Sequence, residues 1–306
     1  MNEYKIKNCP LCDNASLEKE LTCTDSFVSG EQFDIFRCKE CGFMFTQDFP
    51  QGNDINRYYN SIEYISHSDT DKGLVNNLYH RVRRHMLKRK TQLVLTTSLR
   101  TSGKLLDIGT GTGYFPAAMK KAGWEVKAIE KNEQTRAYAK KKFGLEVYDE
   151  SALETFEANS FDVITLWHVL EHLENLDTVW NKLHEILTET GILVIAVPNS
   201  ASYDAEYYGD QWAAYDVPRH LWHFTPATIQ KWGAKHEFVL AARYPMPFDA
   251  FYISMLSEKN KGNKYAFIKG MSVGAWFRLK TLAKEDKSSS MIYIFRKKRN
   301  GKQKEK

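Results

Sequence analysis

Short apolar runs alternate with segments of helical periodicity through the middle of the chain. The runs "KLLDIG", "EVKAIEKN", "LEVYD", "DVITLW" and "GILVIAVPN" have the length and composition of buried strands. The segments between them predict helices. One of these, "NLDTVWNKLHEIL", places its apolar side chains on one face: Leu176, Val179, Trp180, Leu183, Ile186 and Leu187. Strands that alternate with helices in this way predict an α/β fold with a doubly wound, mostly parallel sheet.

The pattern becomes more aromatic after the fifth run. The segments "SASYDAEYYGDQWAA" and "YDVPRHLWHFTP" are rich in Tyr and Trp, which bind both apolar and polar groups. A capped helix in "TPATIQKWGAKHEF" leads to a sixth strand, and "SSMIYIFRKK" is typical of a final strand. Between these two strands, residues 245–285 predict an insertion or a lid that contains an amphipathic helix.

Four of the five cysteines form two C-x2-C pairs at the start of the chain. Cys9 and Cys12 lie in "CPLC", and Cys38 and Cys41 lie in "CKEC". In a reducing compartment disulfides are rare, and four thiolates in two pairs suit one tetrahedral zinc ion. Four cysteine ligands leave no position open to substrate, so this zinc would be structural. Accidental spacing and a redox pair are the alternatives.

Residues 49–98 connect this zinc ribbon to the first central strand. Apolar side chains recur there at helical spacing: Val75, Leu78, Tyr79, Val82 and Met86. The same helix carries six basic residues with no acid between them: Arg81, Arg83, Arg84, Lys88, Arg89 and Lys90. This basic face is either solvated or binds the phosphate groups of a substrate or of RNA.

Composition indicates an ordinary globular protein. The chain of 306 residues is 42% hydrophobic and 26% charged. It has no apolar run of the roughly 20 residues that cross a bilayer, and its first residues lack the apolar segment of a secretion signal, so we expect a cytoplasmic location. The net charge of +5 arises at the end of the chain, where "RKKRNGKQKEK" contributes +6 and leaves the rest at −1. We expect residues 297–306 to be a disordered basic tail.

Three glycines at alternate positions follow the first central strand in "LLDIGTGTGYF". Small residues between a strand and a helix allow a ligand to lie against the backbone, where helix N–H groups face it. The dinucleotide pattern G-x-G-x-x-G needs a glycine one residue later, and Tyr114 is there instead. Glu130 ends the second strand, 23 residues after Asp107, and an acid at this tip can accept hydrogen bonds from both hydroxyls of a ribose.

The chain resembles the class I S-adenosylmethionine-dependent methyltransferases in "LDIGTGTGYF", in the acid of "AIEKN", in "FDVITLWHVLEHL" and in "DVPRHLWHFTP". More narrowly, it is similar to the bacterial small-molecule members in which a zinc-ribbon segment precedes the catalytic domain. The resemblance implies a Rossmann-like sheet of seven strands, with the last strand inserted antiparallel at the sheet edge. It also implies S-adenosyl-L-methionine as the cofactor and methyl transfer as the reaction.

By this resemblance, the cofactor-binding residues lie at the ends of the central strands. They are Asp107, Gly109, Gly111 and Gly113 around the methionine end, Glu130 at the ribose, Ser151 and Ala152 beside the adenine, and Trp167 and His168 near the sulfonium.

Three histidines are candidates for binding the acceptor or removing its proton, because the ordinary pKa of histidine lies near neutrality. His168 ends the fourth strand. His220 and His223 lie in the aromatic loop, at the edge where ligands of open α/β sheets bind, and a purely structural role is the alternative for each of them. His168 and His172 also have the i, i+4 spacing of a metal-binding pair, although no third ligand is evident. For His172, capping or packing is the alternative.

The expected organisation is a zinc ribbon over 1–48, a helical linker or cap over 49–98, and a methyltransferase domain over 99–296 that precedes the tail.

The primary hypothesis is methyl transfer to a small-molecule acceptor such as a sugar, a quinone-like compound or a secondary metabolite. An RNA methyltransferase is the first alternative; the nearly neutral body of the chain disfavours it, as does the lack of the N/D-P-P-Y/F motif of base methylation. A non-catalytic cofactor-binding module is the second alternative.

Overall fold

The structure is a computed structural model, and it describes residues 3–52, 54–59 and 74–299. Its strands are β1 (Glu3–Tyr4), β2 (Leu17–Thr24), β3 (Gln32–Cys38), β4 (Met44–Thr46), β5 (Phe49–Pro50), β6 (Lys104–Ile108), β7 (Glu125–Ile129), β8 (Glu146–Tyr148), β9 (Phe161–Trp167), β10 (Leu187–Pro198), β11 (Trp222–His223), β12 (Phe238–Pro245) and β13 (Ser290–Lys297). Its α-helices are α1 (Leu74–Ser98), α2 (Tyr114–Lys121), α3 (Glu133–Phe143), α4 (Leu176–Ile186), α5 (Tyr203–Tyr208), α6 (Pro226–Lys235), α7 (Asp249–Asn260) and α8 (Ala266–Thr281).

Seven strands form the central sheet in the order β12-β13-β10-β9-β6-β7-β8. β6 pairs in parallel with β7 and β9, and the parallel pairing continues to β8 on one side and to β10 on the other. β13 runs antiparallel to both of its neighbours. The predicted doubly wound α/β fold with an antiparallel last strand is confirmed. The last strand does not lie at the edge, however, because β12 pairs along its outer side.

Apolar side chains cover both faces of this sheet. Successive residues of a strand point to opposite faces, and Leu105 and Leu106 of β6 accordingly belong to different clusters of the core. Trp180 of α4 packs in the cluster of Leu106, and Met119 of α2 packs in that of Leu105. Each such buried side chain contributes about 1.5–3 kcal/mol, so the helices are held on both faces by burial.

The N-terminal segment forms a second sheet that includes a strand from the aromatic loop. Its order is β11-β4-β3-β2, and Trp222 of β11 pairs with Phe45 of β4. The ring of Phe43 stacks on Trp222 with 6.1 Å between centroids and meets Trp232 of α6 edge to face at 5.7 Å. The predicted zinc ribbon is therefore packed against the central domain through both backbone hydrogen bonds and aromatic contacts.

The insertion after β12 consists of α7 and α8, which lie against each other. A Cβ added to Gly270 would come within 2.4 Å of the backbone of Met255, and one added to Gly274 would come within 2.7 Å of the backbone of Phe251. The two helices thus approach closely because α8 has glycines where they cross. None of the helices in the described ranges is long and apolar enough to cross a membrane.

The predicted basic helix is present as α1, and Val94 near its end is buried against the sheet. Residues 60–73 and the side chains of 74–81, which include Val75, Leu78, Tyr79 and Arg81, lie outside the described residues. The basic tail lies outside them from residue 300 onward.

Candidate active site

The glycine turn between β6 and α2 has two kinds of glycine. Gly109, Gly111 and Gly113 all have left-handed φ angles, of 68°, 53° and 81°. A Cβ on Gly109 would lie 2.3 Å from a methyl group of Val169, and one on Gly113 would lie 2.8 Å from the Cβ of Ala139. A Cβ on Gly111, in contrast, would have no atom of the described residues within 4 Å. Two of the glycines are required by packing, and Gly111 borders open space in which a ligand can lie.

Glu130 lies at the tip of β7, and its carboxylate holds this turn. The backbone N–H of Gly111 donates to Oε2 over 2.8 Å, and that of Asn132 donates to Oε1 over 2.9 Å. An ionised carboxylate has about four acceptor positions, so two remain for other donors. The arrangement is compatible with the predicted role at the hydroxyls of a ribose.

Asp107 near the end of β6 is buried and accepts a hydrogen bond of 2.5 Å from the hydroxyl of Thr165. Burial raises the pKa of its carboxyl to about 6, against the opposing effects of this hydrogen bond and of the Lys90 charge. A buried carboxylate that is only partly neutralised favours a cationic group nearby.

Lys90 lies beside Trp167, although the sequence predicted it only as part of a basic helix face. Its Nζ lies 4.2 Å from the centre of the Trp167 ring, and burial lowers its pKa. The ring of Trp167 also meets Phe115 edge to face at 5.3 Å. Helical spacing could have identified Lys90, because it lies four residues from Met86 and four from Val94, on the apolar face of α1.

Ser151 and Ala152 lie in a 3₁₀ turn, Glu150–Thr155, that directly follows β8. The carboxylate of Asp149 caps this turn by accepting a hydrogen bond of 2.9 Å from the backbone N–H of Ser151. Asp149 was not predicted, although an acid two residues before a serine at a strand end is a common capping signal.

His168, directly after β9, bridges two acids. Its Nε2 lies 3.1 Å from Oδ2 of Asp249, the first residue of α7, and its Nδ1 lies 3.4 Å from Oε1 of Glu171. Burial alone would lower the pKa of this imidazole, but the two carboxylates raise it to about 9. His168 is therefore an imidazolium at neutral pH, and a base is not the role that this geometry favours.

His172 pairs with His220 and not with His168. The two rings lie 4.6 Å apart, edge to face. Nδ1 of His172 lies 3.0 Å from the carbonyl oxygen of Arg219, and Nδ1 of His220 lies 2.9 Å from that of Ala214. Burial and the neighbouring His220 lower the pKa of His172 to about 4, so its ring is neutral at physiological pH.

His223 packs into the second sheet. Its Nε2 lies 3.0 Å from the hydroxyl of Thr46, and its ring meets Tyr215 edge to face at 5.2 Å. The side chain is buried, which lowers its pKa to about 3. Its assignment to the acceptor remains a prediction, and its contacts are those of a packed residue.

Arg219 ties three parts of the chain together. Its guanidinium donates to Asp216 in the same loop, to Asp25 of the N-terminal segment and to the carbonyl oxygen of Tyr58, at 2.6, 2.9 and 3.0 Å. The side chain is 1% exposed, so both ion pairs are shielded from water. The aromatic loop and the N-terminal segment are fixed relative to each other by this residue.

The four predicted metal ligands at the N-terminus converge. Sγ of Cys9 lies 3.5 Å from Sγ of Cys41, and Sγ of Cys12 lies 3.6 Å from that of Cys38. All four sulfur atoms lie within 4.8 Å of one another. Bonds of about 2.3 Å in a tetrahedron place sulfur atoms about 3.8 Å apart, so the geometry suits one zinc ion.

Comparison with known proteins identifies the family. The family model described as "Methyltransferase domain" matches residues 79–242, more than half of the 306 residues. The match includes the glycine turn, Glu130, β9 and the aromatic loop. The chain belongs to the methyltransferase domain family. The prediction that the chain is a methyltransferase is confirmed at the level of this family.

Individual relatives of the methyltransferase domain are distant. A ubiquinone biosynthesis O-methyltransferase of Actinobacillus pleuropneumoniae is 27% identical over 146 residues, which cover 42% of this chain and 62% of the relative. An uncharacterized methyltransferase of Alkaliphilus oremlandii is 31% identical over 109 residues, covering 35% and 49%. The chain spans about three fifths or less of these relatives' lengths.

Solved structures are similar at lower identity. A SAM-dependent methyltransferase from Archaeoglobus fulgidus has a TM-score of 0.48 at 16% identity, covering 74% of this chain and all of the other. The Burkholderia thailandensis 1,6-didemethyltoxoflavin-N1-methyltransferase has the same TM-score and identity, covering 86% and 99%. The family assignment rests on the sequence match and not on these values.

Proposed function

We propose that the protein transfers a methyl group from S-adenosyl-L-methionine to a small-molecule acceptor. The observation that carries this proposal is the glycine turn, where the Cβ position of Gly111 borders open space and the backbone N–H of Gly111 donates to Glu130 at the tip of the next strand. The family match supplies the reaction class. The relatives named ubiquinone biosynthesis O-methyltransferase support a small-molecule acceptor with a hydroxyl group.

The residues at the turn suit the donor. Asp107 would attract its cationic methionine end, and Glu130 would accept hydrogen bonds from its ribose hydroxyls. The remaining cofactor contacts that we assign are Gly109, Gly111, Gly113, Ser151, Ala152, Trp167 and His168. When bound, the donor supplies a methyl group on a positively charged sulfur, which an aligned nucleophile displaces directly. The buried indole N–H of Trp167 has no hydrogen-bond partner among the described residues and is one donor available to a ligand there.

The three predicted catalytic histidines have different proposed roles toward the methyl acceptor. His168, held as a cation between Asp249 and Glu171, would stabilise negative charge on the acceptor. The Nδ1 of His220 faces a carbonyl oxygen and so carries the proton, which leaves Nε2 to act on the acceptor. His223 is the third residue of the predicted catalytic set, and its role stays a prediction.

The N-terminal cysteines are proposed to hold a structural zinc ion. Cys9, Cys12, Cys38 and Cys41 provide a complete tetrahedral ligand set, which supports a zinc ribbon over 1–48 in front of a linker over 49–98 and a methyltransferase domain over 99–296. The pair α7 and α8 constitutes the insertion proposed over 245–285 and brings Asp249 to the site.

A matched pair of glycine substitutions tests the donor site. Gly111→Ala puts a methyl group into the space proposed for the ligand, and we expect affinity for S-adenosylhomocysteine to fall at least about tenfold by calorimetry. Gly144→Ala is the control, because Gly144 has a similar φ of 59° with nothing within 4 Å of its Cβ position and ends α3. Equal affinity of both variants, or no binding by the wild type, would contradict the proposal.

A further inference from the structure

The geometry points to a divalent transition-metal site formed by Glu171, His172 and His220, separate from the four cysteines. A carboxylate oxygen and one nitrogen of each histidine lie within 4.8 Å of one another. Glu171 and His172 belong to the 3₁₀ turn Leu170–His172 after β9, and His220 comes from the aromatic loop. The helical pair His168 and His172 suggested by the sequence is thus replaced by a set of three ligands from two segments.

Glu171 is the first reason for this inference. Its side chain is 0% exposed, and neither carboxylate oxygen has a hydrogen-bond partner among the described residues. The nearest cationic group described for it is the imidazolium of His168, at 3.4 Å. His168 offsets part of the charge, but a buried carboxylate whose oxygens accept no hydrogen bond is still costly, and a metal ion is one of the few groups that remove this cost.

The orientation of the two imidazoles is the second reason. A carbonyl oxygen can only accept a hydrogen bond, so the contacts with the backbone of Arg219 and Ala214 place a proton on Nδ1 of each ring. Nε2 of each ring then carries the lone pair. Metal-binding histidines are usually oriented in this way, with the nitrogen that does not bind metal donating to a carbonyl or carboxylate oxygen.

Within the described ranges, the other groups around the pair do not occupy these lone pairs. The hydroxyl of Tyr59 lies 3.2 Å from Nδ1 of His172, on the side of the carbonyl contact. Oδ2 of Asp216 lies 3.8 Å from Nε2 of His220, too far for a hydrogen bond, and this carboxylate is engaged by Arg219. Asp216 adds negative charge that favours a cation at this position.

The ligand set indicates the class of metal. Two imidazoles and one carboxylate suit zinc, iron, cobalt or manganese, and three protein ligands leave coordination positions open. Metal–ligand bonds of about 2.1 Å hold ligand atoms about 3–4 Å apart, so the side chains would draw together by about an ångström when the metal binds. The cysteine site has no such open position.

An open coordination position would allow the metal to bind the methyl acceptor. This role of the metal rests on the proposed function. An acceptor hydroxyl bound to the metal would lose its proton to water more easily, because the metal lowers its pKa. The oxygen then forms a bond to the methyl carbon while the carbon–sulfur bond breaks, and the sulfur leaves as a neutral thioether. In this arrangement Nε2 of His220, proposed above to act on the acceptor, does so through the metal as a ligand and not directly as a base.

Cobalt is the probe that separates the two metal sites. We expect the purified full chain to bind about one Co²⁺ per chain beyond the ion at the cysteines, since thiolate-to-cobalt charge-transfer absorption marks only the cysteine site. Glu171→Gln and His220→Gln should each weaken the additional binding at least about tenfold. His184→Gln, which removes a histidine elsewhere on α4, should leave it unchanged.

A second measurement keeps the inference testable if these variants do not fold. Crystals of the wild type soaked in Co²⁺ should give an anomalous scattering peak bonded to Glu171, His172 and His220. No peak there, or no binding beyond the cysteine site at millimolar Co²⁺, overturns the inference. Binding of S-adenosylhomocysteine is measured separately. If the wild type binds the additional Co²⁺ but not S-adenosylhomocysteine, the proposed function alone is contradicted. If it binds S-adenosylhomocysteine but no additional Co²⁺, the metal site alone is contradicted.

Discussion

Asp107 and Glu130 occupy adjacent parallel strands, and the two carboxyl groups differ in burial. Asp107 is 2% exposed and half-neutralised near pH 6, whereas Glu130 already holds the glycine turn through Gly111. An acid with a raised pKa in the folded protein disfavours folding as the pH rises above its ordinary value near 4. A cationic ligand that binds the ionised form would recover this energy, as expected of a group in the proposed donor site.

Ligand affinity should therefore depend on pH through Asp107. Between pH 5 and pH 7 the ionised fraction rises about tenfold for a pKa of about 6, and we expect the affinity for S-adenosylhomocysteine to rise by about the same factor. Isothermal titration calorimetry across this range measures it. Asp107→Asn should bind weakly at every pH. A flat profile in the wild type, or an equal slope in the variant, argues against an ionised Asp107 at the ligand.

His168 should make stability depend on pH in the opposite range. Its pKa is raised to about 9, so the stabilisation from its ion pairs is fully present below the ordinary value near 6.5 and is lost as the pH rises through 9. We expect the difference in the free energy of unfolding between the wild type and His168→Asn, measured in urea, to decrease between pH 6.5 and pH 9.5. In the Asp249→Asn background this decrease should be smaller. A difference that stays constant with pH would refute the ion-pair assignment.

At the scale of elements, the second sheet is completed by a strand from a distant part of the chain. β4 pairs with β3 on one side and with β11 on the other, and Thr46 donates its hydroxyl proton to the carbonyl oxygen of His220 over 2.7 Å. The cysteine pairs flank β2 and β3. Loss of order around the cysteines would therefore reach the histidines of the aromatic loop.

Removing one cysteine tests this connection. Cys38→Ser should release the zinc, destabilise the N-terminal segment and lower methyl transfer, because the ligand set is incomplete and the backbone that faces His220 loosens. Metal content by mass spectrometry and hydrogen exchange of β4 and β11 are the measurements. Cys23→Ser is the control, because Cys23 is buried in β2 and lies outside the ligand set. Unchanged zinc in Cys38→Ser would eliminate the proposed ribbon.

For the molecule as a whole, periodicity in the sequence predicted the features that depend on residues close together in the chain. The central strands, the glycine turn and the converging cysteine pairs follow from runs of apolar residues and from spacing. The pairing of β11 was not predictable, because two residues inside an aromatic loop carry no strand signal of their own. The contact between His168 and Asp249 was missed for a related reason: it joins residues 81 positions apart, and burial patterns along a chain do not specify partners.

The side chain of Lys90 in α1 shows how charge and helical spacing can give different predictions for one residue. Its charge suggested a solvated face together with Arg84 and Lys88, both of which are exposed. Its position on the apolar side of α1 sends it to Trp167 instead. Composition and spacing gave opposite indications at this residue, and the helical spacing was the better guide.

The pairing of β11 with β4 also constrains how the protein is made. A ribosome delivers the first fifty residues long before Trp222, since chains emerge from the amino terminus at about 5–20 residues per second. Until then β4 has an unpaired edge, although the cysteines are already available to metal. The proposed zinc ribbon would therefore mature in two stages, with its sheet completed only after most of the proposed methyltransferase domain has been synthesised.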